Sequence, residues 1–419
     1  MNTRMDRSKL LIGVCRLGEA AQTEKHVKEI KECNIDIVTD TQGVTMYHNK
    51  ELLDLFSKYG IGYIADSVVP FWFGSDRYAK GPMAEVYPMK VYEKAAREFV
   101  DHPAVWALDA GDEPSALDFP HFRKIVNYIN KNFKNQFAYI DLYPNYAKVS
   151  ENNDEETFSQ LGAKSYEEYI DKYCSLVDTD YICYDHYIYT RNATLKKYYT
   201  NQEIISSACH KTGRSFWITL QANSHEYYKD IYTSANKMRF QAFTSLAYGA
   251  EIIFWGCYMD GAWWYKNVLT IDGEKTEQYE KLKQVNYELK KLGDKYMRYR
   301  NIATHYVGDF KNQKPQNAKS FGRRIDIGSF LNFREENNKK VLVGEMVSRS
   351  YDGSSAILVT TVDDYMDKSP SVSHIRFDVY CKDIEIVASD DENVTLTRCE
   401  DGSYLIKMRS NTGALVIAR

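Results

Sequence analysis

The run Val105-Trp106-Ala107-Leu108-Asp109-Ala110-Gly111-Asp112-Glu113-Pro114 joins an apolar segment to a cluster of carboxylates. Its first residues are β-branched, aromatic and aliphatic, as a buried strand requires. Its end is acidic and closed by a proline, which cannot extend a helix or a central strand. The same texture recurs on both sides. Apolar runs at residues 10–15, 35–39, 62–69, 105–108, 137–142, 181–184, 215–220 and 251–255 are strand-like. Between them lie amphipathic segments at 24–33, 50–59, 91–100, 122–133, 166–177, 202–211 and 235–248, and a long polar one at 277–291 closes the series. Strands alternating with helices imply parallel βαβ units. Eight such units predict a (β/α)8 barrel over residues 8–298. A doubly wound sheet is the competitor, but the first loop, Gly13-Val14-Cys15-Arg16-Leu17-Gly18, is not its Gly-rich phosphate loop.

Beyond residue 298 the texture changes. Segments 340–346, 355–362, 384–389, 394–398 and 403–408 are short and strand-like, with turn pairs Asp352-Gly353, Asp390-Asp391 and Asp401-Gly402 between them. This predicts an all-β sandwich over residues 299–419. The fold class is therefore α/β, a (β/α)8 barrel followed by a C-terminal β-sandwich.

Composition narrows the function. The chain has 419 residues, with 54 Lys+Arg against 58 Asp+Glu, so it lacks the basic excess of a nucleic-acid-binding protein. Mean hydropathy is −0.52, and no apolar run reaches the ~18 residues of a membrane span. Neither nucleic acid nor membrane insertion is expected. The eight cysteines form no CxxC pair, and those inside apolar runs (Cys15, Cys183, Cys257) read as free core thiols. That suits a cytoplasmic protein, or a secreted or periplasmic one whose signal peptide has been removed, because the first residues make a poor signal. Tyr is abundant, at 34, which suits either core packing or a cleft lined with flat rings.

In a barrel, chemistry sits where strands end. The runs lead into Asp40, Asp66, Asp109-Asp112-Glu113, Asp141-Leu142-Tyr143, Asp185-His186, Gln221 and Trp255. Any one acid is explained by helix capping. The series is not, because a buried carboxylate without a partner is costly. The nine histidines show no metal-ligand spacing, and no GxSxG elbow or phosphate loop is present. No metal and no cofactor are expected. Carboxylates with aromatics (Phe71-Trp72-Phe73, Trp255, Trp263, Trp264) suit glycoside hydrolysis, in which one carboxyl protonates the leaving oxygen and a second attacks or activates water.

Gly111-Asp112-Glu113-Pro114 resembles the Asn-Glu-Pro signature of the large clan of (β/α)8 retaining glycosidases. Asp141-Leu142-Tyr143-Pro144, Ser165-Tyr166-Glu167-Glu168-Tyr169, Tyr184-Asp185-His186-Tyr187, Arg239-Phe240-Gln241-Ala242 with Ser245–Ala250, and Val341-Leu342-Val343-Gly344-Glu345 are similar to stretches of family 42-like β-galactosidases. The resemblance implies an oligo- or polysaccharide substrate and makes Glu113 the general acid. It departs at strand seven, where the clan carries a nucleophilic Glu and this chain carries Gln221, an amide that cannot serve. The second carboxylate then falls to Asp185 first, Asp141 second, or Glu226 in the following loop. Two alternatives remain: an inactive, sugar-binding barrel, and an enzyme of another type, such as a lyase or isomerase, which would usually want a metal cluster or a strand-end Lys that the eight runs do not carry. Asp112, Asp141, Tyr143, His186, Gln221, Trp255 and Trp72 are the expected sugar contacts.

Overall fold

The computed structural model describes residues 4–39, 49–151, 159–190, 194–225, 233–259, 264–311, 313–315, 318, 320–381 and 383–419. Eight parallel strands form the barrel: β1 (Leu11–Cys15), β2 (Ile37–Thr39), β3 (Gly62–Ala65), β4 (Val105–Asp112), β5 (Phe137–Asp141), β6 (Tyr181–Asp185), β7 (Ser215–Gln221) and β8 (Ala250–Gly256). Their order is sequential, and β8 pairs back on β1 with Leu11 opposite Ile252. The join between β5 and β6 is a single bridge, Leu142 to Tyr184, with the Leu142 N–H donating to the Cys183 carbonyl at 3.0 Å. A short strand, Trp72–Phe73, adds to β4 from outside this ring.

Side chains fill the barrel. Leu11, Ile37, Ile64, Ala107, Tyr139, Tyr181, Cys183, Trp217, Ile252 and Phe254 form one buried cluster. Tyr181 lies flat on Trp217, ring centroids 3.9 Å apart. Side chains two apart share a face of a strand. Tyr139 therefore puts Asp141 inside the barrel, Cys183 puts Asp185 there, and Trp217 puts Thr219 there, each nearer the C-terminal mouth.

The outer layer comprises α1 (Glu24–Glu32), α2 (Lys50–Tyr59), α3 (Phe119–Asn132), α4 (Tyr166–Leu176), α5 (Leu195–Thr212), α6 (Ala235–Ala247) and α7 (Glu277–Tyr296). Polar N-caps start most of them: the side chains of Asn49, Ser165, Thr194, Ser234 and Thr276 each accept a first-turn N–H. The helix expected over 91–100 is a correction. The β3–β4 connection instead holds three short helices, Gly74–Lys80, Met83–Val86 and Met89–Glu93. Pro82 and Pro88 stand as N-caps of the second and third, so no long helix passes through them.

The C-terminal residues form two facing sheets. One holds β9 (Tyr299–Val307), β10 (Ser320–Gly322), β13 (Val341–Ser348), β14 (Ser355–Thr361), β16 (Ile384–Ala388) and β19 (Gly413–Ala418). The other holds β11 (Arg324–Ile327), β12 (Phe330–Glu335), β15 (Val372–Val379), β17 (Val394–Arg398) and β18 (Tyr404–Arg409). Val343, Ile357 and Val416 from the first meet Phe333, Phe377 and Ile406 from the second in a common core, which makes a sandwich. The first sheet also lies on α6. A Cβ at Gly344 would sit 2.4 Å from the Ala247 carbonyl, so only glycine permits this approach. From the sandwich, a loop reaches the barrel mouth. Its Asp367 accepts from Ser234 at 2.6 Å and Asn236 at 2.8 Å, and its Tyr365 carbonyl accepts from the Tyr189 hydroxyl at 2.9 Å. Among the described residues, no helix is long and apolar enough to cross a membrane.

Candidate active site

At the C-terminal end of the barrel lies a cavity of about 250 Å³. Its acidic wall comes from three consecutive strands: Asp109, Asp112 and Glu113 from β4, Asp141 from β5 and Asp185 from β6. The remaining wall is Cys15, Arg16, Thr39, Phe73, Gly111, Tyr139, Tyr187, Thr219 and Cys257.

Strict alternation would turn only one of Asp112 and Glu113 inward. Two local features bring both. The register of β4 against β5 shifts between Asp109 and Gly111, a bulge that re-aims the strand end. Glu113 itself adopts a left-handed backbone, φ 50°, where a non-glycine residue stores about 1–3 kcal/mol of strain. Its N–H donates to the Asp141 carbonyl at 2.8 Å, which holds that conformation. Gly74 packs under the turn: a Cβ there would fall 1.7 Å from the Glu113 carbonyl oxygen.

Burial raises every one of these carboxyls, and repulsion from neighbouring acids adds to it in all but Asp141. Glu113 is pushed well up by burial, then by Asp112 and Asp141. Asp185 is pushed well up by burial, then first by Glu113 among its charged neighbours. Asp109 rises through burial, Asp112 and Asp66. Asp112 is raised to about 8 by burial and Asp141. Asp141 rises least, to about 6, because donors offset its burial: the Thr219 hydroxyl at 3.0 Å, the Cys183 thiol and the Leu142 N–H. The site therefore holds neutral carboxylic acids beside one carboxylate that ionises near neutrality. Paired carboxyls separated in this way divide acid and base roles. The thiols offer no competing nucleophile, since burial raises Cys15 and lifts Cys257 to about 12.

The structure thus brings together Glu113, Asp112, Asp141 and Asp185. Tyr143 packs beside them; burial, then Glu113, Asp112 and Asp185, raise its hydroxyl. Four expected sugar contacts stand elsewhere. Trp72 is fully buried and its indole donates to Asp118 at 3.2 Å, while the adjacent Phe73 lines the cavity. Trp255 points outward to α7, donating to Asn286 at 2.9 Å. His186 is sealed against Asn201 of α5, 3.0 Å away. Gln221 is fully buried; its Oε1 accepts from the Tyr189 N–H at 3.1 Å and its Nε2 donates to the Asn223 carbonyl at 2.9 Å. Each is core or scaffold because the strand end turns it away from the mouth or backbone groups claim it. Asp40, Glu226 and Trp263 lie outside the described residues. Trp264 belongs to a short strand that pairs with Ser224–His225. Sequence reasoning did not single out Thr219, Tyr187, Tyr139, Thr39 or Arg16. Counting by two from the interior aromatics finds Thr219, while Arg16 and Tyr187 follow strand ends and carry no such signal. Among the described residues, no group of His, Cys, Asp and Glu is arranged to hold a metal ion.

No protein-family model matches the sequence, and no curated protein matches it. Solved structures similar in fold include the β-galactosidase from the psychrophilic Marinomonas ef1 (11% identity, TM-score 0.47, covering 67% of this chain and 60% of that one). Others are the endo-β-1,4-mannanase from Thermotoga petrophila (8%, 0.47, 98% and 99%) and a glucosidase from Croceicoccus marinus (11%, 0.46, 98% and 96%). The chain spans 60% of the length of the galactosidase. With TM-scores below 0.5, these likenesses carry no chemistry across; the cavity's own residues must.

Proposed function

We propose that this protein is a glycoside hydrolase acting on an O-glycosidic bond. One observation carries the reading: five carboxyls from β4, β5 and β6 converge on one cavity at the barrel's C-terminal mouth, with their ionisation pushed apart. Glu113 is the general acid. It is kept protonated near neutrality by burial and by Asp112, and it can deliver that proton to a leaving glycosidic oxygen. Asp185 is the second carboxylate. It lines the same cavity as Glu113, and because burial and then Glu113 raise it, it serves in the fraction of molecules in which it is ionised. The proton that Glu113 gives up leaves on the released alcohol; Asp185, as carboxylate, attacks the anomeric carbon or takes a proton from the attacking water, and that water supplies the proton that restores Glu113.

A second assignment rests on a different observation. Asp141 is the carboxyl best supplied with donors, hence the one most readily ionised, and it could serve as nucleophile or base in place of Asp185. The resemblance to family 42-like enzymes suggests a β-galactoside as the first substrate to try. A panel of aryl β-glycosides, with turnover followed by release of the aryl alcohol, tests the reading. Cleavage lost in Glu113→Gln supports it. Saturable sugar binding without cleavage of any member would instead favour a sugar-binding barrel.

A further inference from the structure

The barrel mouth is electrically divided. All five carboxyls come from β4, β5 and β6. Directly across the ring, β1 ends in Cys15 and is followed by Arg16, flanked on the wall by Thr39 at the end of β2 and Cys257 after β8. Arg16 is the one cation among the described residues lining the cavity, and it is only partly exposed. Its backbone takes the left-handed conformation, φ 67°, at the point where the strand ends. Among the described residues its guanidinium has neither a hydrogen-bond nor an ion-pair partner. Although it shares the cavity with Asp109, Asp112, Glu113, Asp141 and Asp185, no ion pair joins it to any of them. The guanidinium therefore comes from across the ring and is not paired with the acids.

A partly desolvated cation without a partner is unfavourable, and a guanidinium is matched best by a planar two-oxygen anion. Glu113 fixes where the anomeric end of a ring must lie. A cavity of about 250 Å³ leaves room for little more than one ring, so a group projecting away from the anomeric carbon meets the β1 side. We propose that Arg16 binds a carboxylate carried by the sugar ring, so that the substrate is a uronide rather than a neutral glycoside. The inference rests on the glycosidase reading for the position of the ring. It predicts an ion pair formed only when substrate is present.

Two measurements test it separately from that reading. The first is the ratio of kcat/KM for 4-nitrophenyl β-D-galacturonide over the β-D-galactoside, in wild type, Arg16→Gln and Arg16→Lys. A wild-type preference for the uronide of about tenfold or more is expected, the worth of a charge-assisted pair. It should collapse towards unity in Arg16→Gln and return in part in Arg16→Lys. The second is calorimetric binding of free D-galacturonate, D-galactose and D-galactose 6-sulfate to the same three proteins, each checked for native circular dichroism. Galacturonate should bind tightest, and only through Arg16. If galactose binds as well as galacturonate, or Arg16→Gln keeps the preference, the inference fails. If the 6-sulfate binds tightest, the uronide assignment fails. If galacturonate binds through Arg16 while neither glycoside is cleaved, the acidic-sugar site stands and the glycosidase reading falls.

Discussion

Glu113 and Asp141 are tied backbone to backbone, the N–H of one donating to the carbonyl of the other at 2.8 Å. This bond extends the β4–β5 ladder one residue beyond the strand and locks Glu113 in its left-handed turn. The acid and its neighbouring carboxylate are therefore set by one rigid sheet edge rather than by a loop. Preorganisation of this kind lets a general acid act without first being positioned.

Replacing Glu113 by Gln keeps the shape and the backbone bond but removes the transferable proton. We expect turnover to fall by about 10²–10⁴-fold, the usual worth of general acid catalysis. The loss should be smaller for substrates with good leaving groups, which need less protonation. Stopped assays on 4-nitrophenyl and unactivated glycosides measure both effects, and near wild-type rates on the unactivated substrate would remove Glu113 from the mechanism.

The second carboxylate is settled by comparing Asp185→Asn with Asp141→Asn. If Asp185 holds the role, its variant abolishes turnover while still binding sugar. Asp141→Asn then retains a reduced rate, because the amide can still accept from Thr219. The reverse pattern transfers the role to Asp141. The first-formed anomer, read by proton NMR, gives the route. A carboxyl separation of about 5–5.5 Å implies retention, and about 6.5–9.5 Å leaves room for water and implies inversion. An Asp is shorter than a Glu by one methylene, so Asp185 stands back from the cavity centre, and inversion is the expected outcome.

How much of this was legible in the sequence depends on the kind of residue. The strands of the barrel announce themselves because both faces are buried, which leaves near-continuous apolar runs such as residues 215–220. Their acidic ends stand out against that background, which is why Glu113, Asp141 and Asp185 were readable. The aromatics were not, because a buried indole and a sugar-stacking indole share one sequence texture. Trp255 is claimed by Asn286 and Trp72 by Asp118, partners distant in the chain. Strands such as Tyr299–Val307 and Val372–Val379 also went unread. Their polar outer faces break the apolar run, and only the pairing with β13 and with β12 and β18 defines them.

The acidic wall should make stability fall as pH rises. Folding lifts Asp141 to about 6 and Asp112 to about 8, above the ~3.9 of an unfolded aspartate. The native state thus keeps protons that the unfolded chain has released. The associated stability is fully present below about pH 4 and is lost as pH climbs through 6 and then 8. Thermal unfolding between pH 4.5 and 8.5 should show the decline, and Asp112→Asn or Asp141→Asn should flatten it. Exposed acids with lowered values, such as Glu24 and Asp401, are common to wild type and variants and cancel in that comparison. Identical pH slopes in wild type and both variants would contradict the assigned burial.

Restoring a carboxylate at the end of β7 should not restore a familiar glycosidase. Gln221 works as a two-ended clamp: its oxygen takes the Tyr189 N–H and its nitrogen gives to the Asn223 carbonyl, while its own backbone is held by Gln241 at 3.0 and 2.9 Å. Tyr189 is in turn anchored to Lys237 and to Tyr365 of the sandwich loop, and Tyr187, two residues before it, forms part of the cavity wall. Gln221→Glu keeps the acceptor but loses the donor. An ionised carboxylate would then face the Asn223 carbonyl in a fully buried place, and leaving that group unsatisfied costs about 1–3 kcal/mol, more when charged. The introduced carboxyl escapes only by staying protonated, so its folded pKa is raised and its penalty grows as pH rises. Urea unfolding should therefore show a small loss at pH 5 and a larger one at pH 8. Turnover should fall through displacement of Tyr187, not rise. A Gln221→Glu variant as stable as wild type at pH 8, or more active on any aryl glycoside, would mean that the β7 side chain reaches the cavity and that the second carboxylate has been misplaced.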